Sequence, residues 1–209
     1  MKIALTLALG LSLSLAAASA PHQDKKEEKK APPSLADMMP KPGPEMAKLK
    51  TMVGTWNVEE TMEPGPMGPG GKGHGTSHVT AGPGGLSIVI DYHSTGGLMK
   101  GFKGLGVVAW EADAKAYKQV WADNMAPMIM VSTGSWDGDK LVMNYEGTMM
   151  GKALKGRDTM SGVGTDTVTL VSEMSMDGSP MAKAMTLVHK RAKAPEKKAD
   201  APKPEEKKN

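Results

Sequence analysis

The sequence predicts an all-β protein: a single antiparallel up-and-down β-barrel of about ten strands, with a short N-terminal capping helix. Between residues 55 and 191, short segments rich in strand-forming residues are bounded by Gly, Asp or Pro. The connections are too short for crossover helices, which argues against a parallel sheet. Ten closely spaced strands favour a barrel over a sandwich. The predicted strands are residues 55–62, 75–81, 85–93, 102–111, 116–123, 128–136, 140–148, 153–161, 166–175 and 182–191.

A helix of two turns is predicted ahead of the first strand, over residues 45–52. Met46 and Leu49, with Val53, fall on one face of this helix. We therefore expect the helix to pack that face against the barrel and to cap one end of it.

Glycines are expected to act at two places in the barrel. Residues 64–75 are rich in Gly and Pro, lack the Gly-Lys-Ser/Thr ending of a phosphate loop, and are expected to form a flexible lid or rim. Gly101, Gly104 and Gly106 accompany the fourth strand and are expected to mark bends or bulges.

The first twenty residues have the three parts of a secretory signal peptide. Lys2 supplies the charge, an apolar stretch follows from Ile3 to Leu15, and small residues lead to a cleavage site near Ala20. The stretch is too short to remain as a membrane anchor, and no second apolar segment approaches spanning length. No Cys follows that would carry a lipid. We expect an exported protein, periplasmic or extracellular, without a membrane span.

Both ends of the mature chain differ from the centre in composition. Residues 21–44 and 192–209 are rich in Lys, Glu and Pro and are predicted to be disordered, which leaves residues 45–191 as the barrel. Residues 45–189 contain 12 Lys/Arg and 15 Asp/Glu and are net acidic. Residues 190–209 contain 8 Lys/Arg and 4 Asp/Glu and are net basic. The folded part therefore has no basic surface suited to nucleic acid. The tails are expected at most to contact anionic envelope components weakly.

The composition also predicts how the interior is packed. The chain has no Cys, so an exported protein of this size must be stabilised by its core and not by disulfides. It has 19 Met and one Phe. Flexible thioethers are therefore expected to fill space that aromatic rings usually take, which makes the interior adaptable.

Three motifs together resemble a known protein family. They are Leu-x-x-Met-Val-Gly-x-Trp at residues 49–56, the Gly- and Trp-containing run from Gly101 to Asp123, and Met-Thr-Leu-Val-His-Lys-Arg at residues 185–191. The combination resembles the exported bacterial proteins of domain-of-unknown-function family 1579. The resemblance covers nearly all of residues 45–191 and implies a lipocalin-like, or calycin-like, barrel. It implies no established activity.

The same resemblance suggests how the barrel is closed. In calycin-type barrels a Trp of the first strand closes the bottom, and a basic residue late in the last strand lies across its ring. The residues at these positions are Trp56 and Arg191. A cation over an indole face stabilises by about 1 kcal/mol, so we expect a structural pair without a catalytic role.

His189 is a departure from the family, which tends to end in Tyr-x-Arg; the family also tends to have aromatic-Asp where this chain has Trp110-Glu111. Strand alternation puts His189 on the same face as Leu187 and Arg191, which points it into the cavity if that face is inward. One inward His, with the Gly-x-Trp start, resembles the haem-binding nitrobindins. A hydrogen-bonded His without haem is the favoured interpretation, because no second haem motif accompanies it.

Two metal hypotheses are weaker. His74, His78 and His93 lack a carboxylate cluster or Cys to complete a site, and strand positions 74 and 78 lie about 13 Å apart. Groups of Met could bind Cu(I) as soft ligands, but those in strands are better explained as core. These groups are residues 38–39, 125–130, 149–150 and 174–176.

Candidate ligand-binding residues follow from rows of like parity in the strands. Trp110, Trp121, Met130 and Tyr145 each lie on such an apolar or aromatic row, and they form a cavity wall if the rows face inward. His189 joins them under the same condition.

Two charged residues are candidate polar anchors. Asp123 has the parity of Trp121, and Arg157 is among the few basic residues of the later strands. We expect them either to pair with each other or to orient a ligand inside an apolar cup.

The sequence favours binding over catalysis. No Gly-x-Ser-x-Gly elbow, paired-carboxylate motif or metal-ligand cluster draws the Ser, His and Asp residues together. The leading hypothesis is an exported protein that binds a small apolar or amphipathic ligand in its barrel, with no cofactor. The alternatives are an envelope protein whose barrel is filled and whose tails make the contacts, and a haem- or copper-binding barrel.

Limited proteolysis of the mature protein tests the predicted boundaries. Because residues 21–44 and 193–209 have little apolar surface to bury, we expect them to be cut while residues 45–191 survive as a core. Mass spectrometry of the surviving fragment gives its ends. Protection of either tail would contradict its assignment as a spacer.

Overall fold

The fold is a closed barrel of ten antiparallel strands, as the sequence predicts. The structure is a computed structural model that describes residues 32–66 and 68–193. The predicted signal peptide, residues 21–31 of the spacer and residues 194–209 of the tail lie outside the described residues. Strands pair in chain order, and β1 closes the barrel by pairing with β10. They are β1 (Gly54–Met62), β2 (Gly71–Ala81), β3 (Ser87–Gly97), β4 (Lys103–Glu111), β5 (Ala116–Asp123), β6 (Ile129–Asp137), β7 (Lys140–Met149), β8 (Lys152–Ser161), β9 (Thr167–Met176) and β10 (Ala182–Arg191).

The largest difference from the predicted strands is in the β2–β3 hairpin. β2 begins at Gly71, so the predicted loop over residues 64–75 is wrong for Gly71–Gly75. This glycine-rich stretch pairs with β1 on one side and with β3 on the other, where Gly73 faces Gly97. Pairing on both sides overrides the low strand propensity of glycine.

Helix α2 (Glu45–Lys50) caps one end of the barrel, as predicted. Met46 and Leu49 are buried against the core, while Val53, beyond the helix, is 39% exposed and does not contribute. The Tyr117 hydroxyl donates to the Glu45 carbonyl at 2.7 Å. The helix is therefore held by an apolar face and by a polar contact from a strand.

The capped end of the barrel is filled by side chains. The buried core there comprises Met46, Leu49, Met52, Trp56, Val79, Ile88, Val108, Tyr117, Leu141, Met143, Val163 and Val168. Trp110 and Trp136 pack against this core, at 5.0 and 6.2 Å between their ring centroids and that of Tyr117. This part of the interior is closed to ligands.

Trp56 and Arg191 form the expected contact at the capped end. The Arg191 guanidinium lies 4.1 Å from the centroid of the Trp56 ring. It also donates hydrogen bonds to the carbonyls of Thr51, at 2.7 Å, and Val53, at 3.2 Å. Gly54 makes this approach feasible: its φ is +142°, and a Cβ there would lie 2.9 Å from Nη1 of Arg191. Arg191 thus joins the last strand to the segment that leads into the first.

Helix α1 (Leu35–Met38) lies within the part of the chain that was expected to be a spacer. It is four residues long, has a capping box between Ser34 and Asp37, and buries none of its residues. It belongs to a unit separate from the one that contains the barrel. Over the described residues, no helix has the length and apolar character needed to cross a membrane.

Replacing Arg191 with Ala should lower the free energy of unfolding by about 2 kcal/mol. The substitution removes a cation over an indole face and hydrogen bonds to two carbonyls. In a Trp56→Leu background the same substitution should cost about 1 kcal/mol less, because the ring contact is already absent. Urea denaturation of the four proteins measures this coupling, and purely additive losses would contradict it.

Lys190→Ala is the matched control for that cycle. Lys190 is the preceding residue, points outward and pairs with Glu59 at 2.5 Å, with both side chains exposed. A surface pair of this kind should contribute well under about 1 kcal/mol.

Candidate ligand-binding cavity

The half of the barrel away from α2 encloses a cavity of about 230 Å³. Loop residues Met99, Phe102, Met125 and Ala126 border it, so it lies toward the end where the β3–β4 and β5–β6 loops run. The methionines that line it are Met62, Met99, Met125, Met130, Met149, Met160, Met174 and Met185. The lining is therefore rich in flexible, polarisable side chains that can adapt to a ligand.

Trp121 lies on the cavity wall and is accommodated by glycines of the neighbouring strand. A Cβ at Gly104 would lie 2.1 Å from the indole, and one at Gly106 would lie 2.9 Å from it. The β4 register shows no bulge at either glycine, so the expectation of a bulge there is wrong. These residues are small because a large ring covers them.

Met130 and Tyr145 also line the cavity. Met130 is the direct partner of Trp121 in the β5–β6 register. Tyr145 is 6% exposed and lies over Gly156 of β8, where a Cβ would be 2.0 Å from its ring. Burial, with a smaller effect of nearby Asp158, raises the pKa of Tyr145 to about 12. The phenol is therefore neutral at ordinary pH.

Asp123 borders the cavity, but its carboxylate is already hydrogen-bonded. Oδ2 accepts from Nε1 of Trp121 at 3.1 Å. Oδ1 accepts from the backbone N–H groups of Met125, at 2.9 Å, and Ala126, at 3.1 Å. Asp123 thus fixes the indole and orders the β5–β6 loop at the rim of the cavity.

Arg157 does not face the cavity, so its prediction as an inward anchor is wrong. Its Nε and Nη2 donate to Oε2 of Glu173 at 3.0 and 2.9 Å on the outer surface. On the same strand, Leu154 is buried and Met160 lines the cavity. Both have the opposite parity to Arg157. The inward charged residue of β8 is its neighbour, Asp158.

Trp110 points inward but lies outside the cavity. Its ring packs edge-on to Tyr117 at 5.0 Å, in the filled end of the barrel. Parity correctly gives the side of the sheet for Trp110, but it does not give the depth along the barrel. Trp110 is therefore corrected from a wall residue to a core residue.

His189 lies one layer below the floor of the cavity. Its partners in the register are Val58 and Val168, both buried, whereas the next inward residue of β10, Leu187, lines the cavity. Nδ1 of His189 is buried without a hydrogen-bond partner, and burial lowers the pKa of the imidazole to about 4. The described cavity does not reach this ring, so the position does not fit an axial haem ligand there.

Glu60 is a cavity residue that the sequence prediction missed. It is 3% exposed, and the Tyr92 hydroxyl donates a hydrogen bond to Oε1. Oε2 has no partner and lies over Gly73, where a Cβ would be 2.3 Å away. Glu60 has the parity of Trp56 and Val58, so alternation from the conspicuous Trp56 would have identified it.

The sequence prediction also missed Asp158, because strand alternation was not applied to the charged residues of β8. It lines the cavity, and its Oδ1 is buried without a hydrogen-bond partner. Burial raises the pKa of this carboxyl to about 6, although a hydrogen bond from the Ser172 side chain acts in the opposite direction. Its apolar surroundings therefore favour the neutral form of this carboxyl more than water would.

The lining combines apolar side chains with a few ionisable groups. Its described ionisable residues are Tyr92, Tyr145, Glu60, Asp123 and Asp158, and Lys, Arg and His are absent from this described set. No group of three or more His, Cys, Asp or Glu among residues 32–66 and 68–193 is arranged to hold a metal. The arrangement provides apolar contacts, neutral phenols and carboxylates that accept hydrogen bonds.

Comparison with solved structures gives several matches, which include the following two. One is Rv2717c from M. tuberculosis, with a TM-score of 0.49 and 16% identity, covering 73% of this chain and 99% of that one. The other is an S-type phycobiliprotein lyase, CPES, from Guillardia theta, with a TM-score of 0.46 and 12% identity. The match covers 74% of this chain and 100% of that one. No curated protein matches the sequence.

Comparison with protein families confirms the resemblance seen in the three motifs. Residues 41–191 match the family described as "Protein of unknown function (DUF1579)". The matched range contains α2 and all ten strands. This chain therefore belongs to the DUF1579 family.

Proposed function

We propose that this protein is a non-catalytic binder of a small apolar or amphipathic molecule, held in the cavity of its barrel. The observation that carries the proposal is the methionine-lined cavity of about 230 Å³ in a barrel whose other half is filled. Ligand sites in proteins are typically concave and mostly apolar, with a few polar groups that orient the ligand. This cavity has both features.

The size of the cavity argues for a small ligand. Sites for drug-sized molecules typically measure roughly 300–1,000 Å³, and this one is smaller. Eight methionines surround it, and their flexible side chains can enlarge the space at low cost. A compact ring system or a short alkyl chain fits this description better than a large planar cofactor.

The proposal includes an exported location. It rests on the signal-peptide pattern of residues 1–20 and on the Lys-rich tails, which suit weak contacts with anionic envelope components. The binding site belongs to the barrel and does not depend on the tails. Removal of both tails should therefore leave ligand binding unchanged.

The main alternative is an envelope protein whose barrel serves only as a rigid support. That alternative requires no ligand and predicts that the space is closed by side-chain motion in solution. The presence of a cavity beside a well-packed core argues against it. A binding experiment separates the two hypotheses.

Titration with the neutral apolar dye N-phenyl-1-naphthylamine should give saturable binding and quench tryptophan fluorescence. Trp121 lines the cavity, whereas the partly buried Trp110 and Trp136 pack against the filled core together with buried Trp56. Most of the quenching should therefore disappear in Trp121→Phe, while dye fluorescence still reports binding. Absence of saturable binding to the wild-type protein would favour the structural alternative.

A matched pair on β6 tests the location of the site. Met130 faces the cavity, and its neighbour Ile129 faces outward with 67% exposure. Met130→Trp should fill the space and weaken dye binding by roughly tenfold or more, the equivalent of about 1.4 kcal/mol. Ile129→Trp should leave the affinity unchanged. Equal effects of the two substitutions would place the dye on the outer surface.

A further inference from the structure

We infer that the cavity selects a cationic ligand: an organic amine whose ammonium group pairs with Glu60 or Asp158 while its apolar body lies among the methionines. The inference rests on the proposed function and adds the charge and chemical class of the ligand. Two observations support it. The ionisable side chains with charge at the cavity are carboxylates, and two buried carboxylate oxygens have no hydrogen-bond partner.

The charged groups at the cavity are all acidic. Its described lining contains three carboxylic residues, Glu60, Asp123 and Asp158, and no basic residue to balance them. Arg157 is directed outward and is paired with Glu173. An anionic ligand such as a fatty acid would therefore meet carboxylates of its own sign in a poorly solvated space, which is unfavourable.

Two of the three carboxylates lack a full set of partners. Asp123 accepts three hydrogen bonds through its two oxygens. By contrast, Oε2 of Glu60 and Oδ1 of Asp158 are buried and accept none. A buried acceptor without a partner costs free energy, and the cost is larger for a charged group. An ammonium group supplies both the missing donors and the missing charge.

Glu60 is the better defined of the two acceptors. It is 3% exposed, and Oε1 is held by the Tyr92 hydroxyl. Gly73 gives the carboxylate room on one side, because any side chain there would collide with Oε2. The terminal torsion of Glu is soft, so the carboxylate can reorient Oε2 toward a ligand at low cost.

Within residues 32–66 and 68–193, no basic side chain forms an ion pair with Glu60. His189 lies one inward pair further along β1–β10. Its buried ring favours the neutral form, and its Nδ1 makes no hydrogen bond. Lys190 on the same strand is paired with Glu59 on the outer surface. The unpartnered Oε2 of Glu60 is thus an acceptor that a ligand cation can use.

Three ligands with the same eight-carbon chain test the inference: octylamine, octanol and octanoate. Each is titrated into the full-length mature protein by isothermal calorimetry at pH 7.5, where the amine is protonated and the acid ionised. We expect octylamine to bind roughly tenfold or more tightly than octanol, the effect of one hydrogen-bonded charge pair. Octanoate should bind more weakly than octanol.

Isosteric variants identify the acceptors. Glu60→Gln and Asp158→Asn each remove one charge with little change of shape, and together they should abolish the preference for octylamine while octanol still binds. Glu59→Gln is the matched control, because it removes an outward carboxylate from the adjacent position of β1. It should leave the preference unchanged. Circular dichroism and melting temperatures check that each variant remains folded.

The outcomes separate this inference from the proposed function. If octanol and octylamine bind equally, or octanoate binds best, the cationic ligand is wrong and the apolar site remains. If none of the three binds and the neutral dye also fails to bind, the proposed function fails with it. If the preference for octylamine survives in the double variant, the amine is recognised elsewhere and the assignment of Glu60 and Asp158 is overturned.

Discussion

The pairing of β1 with β10 is the constraint on which the rest of the structure depends. Trp56 pairs with Arg191 in this register. The register has no interruption, so this pair fixes every later one up to Met62 with Met185. Because every second pair points inward, this one alignment decides which side chains enter the barrel and at what depth. A shift by one residue would exchange Glu60 for Glu59 and would turn the interior row outward.

The interior has two parts with different physical character. The capped end is packed with aromatic and aliphatic side chains and is fixed by the polar contacts of Tyr117 and Arg191. The other end is surrounded by methionines, which have more rotatable bonds and fewer shape requirements. Because the capped end is rigidly packed, the fold can remain stable while the methionine-lined end changes its shape. The carboxylates lie in the adaptable part, where movement can bring them to a partner.

The sequence predicts the architecture well and the site only in part. Ten strands and the capping helix follow from alternation and turn residues, and the resemblance to calycin-type barrels implies the closing contact. The start of β2 was not predictable from propensity, because Gly71–Gly75 form a strand only through pairing with two neighbours. Local composition is a poor guide where tertiary hydrogen bonds decide the conformation.

The errors at the site have a common cause. The prediction for Arg157 rests on its charge, although the apolar residues of β8 have the parity of Asp158. The prediction for Trp110 rests on parity, which fixes the side of the sheet and leaves the depth unspecified. Glu60 and Asp158 were visible as charges within inward rows, a pattern that is costly in a core and therefore informative. Applying alternation to charged residues as strictly as to apolar ones would have recovered both.

The glycines beneath the large cavity residues have an evolutionary consequence. Gly104 lies under Trp121, Gly156 under Tyr145, and in each pair a single added methyl group would overlap the ring. The glycine of a pair cannot gain a side chain without displacing the ring above it. Across the family, the small and the large residue of each pair should therefore covary.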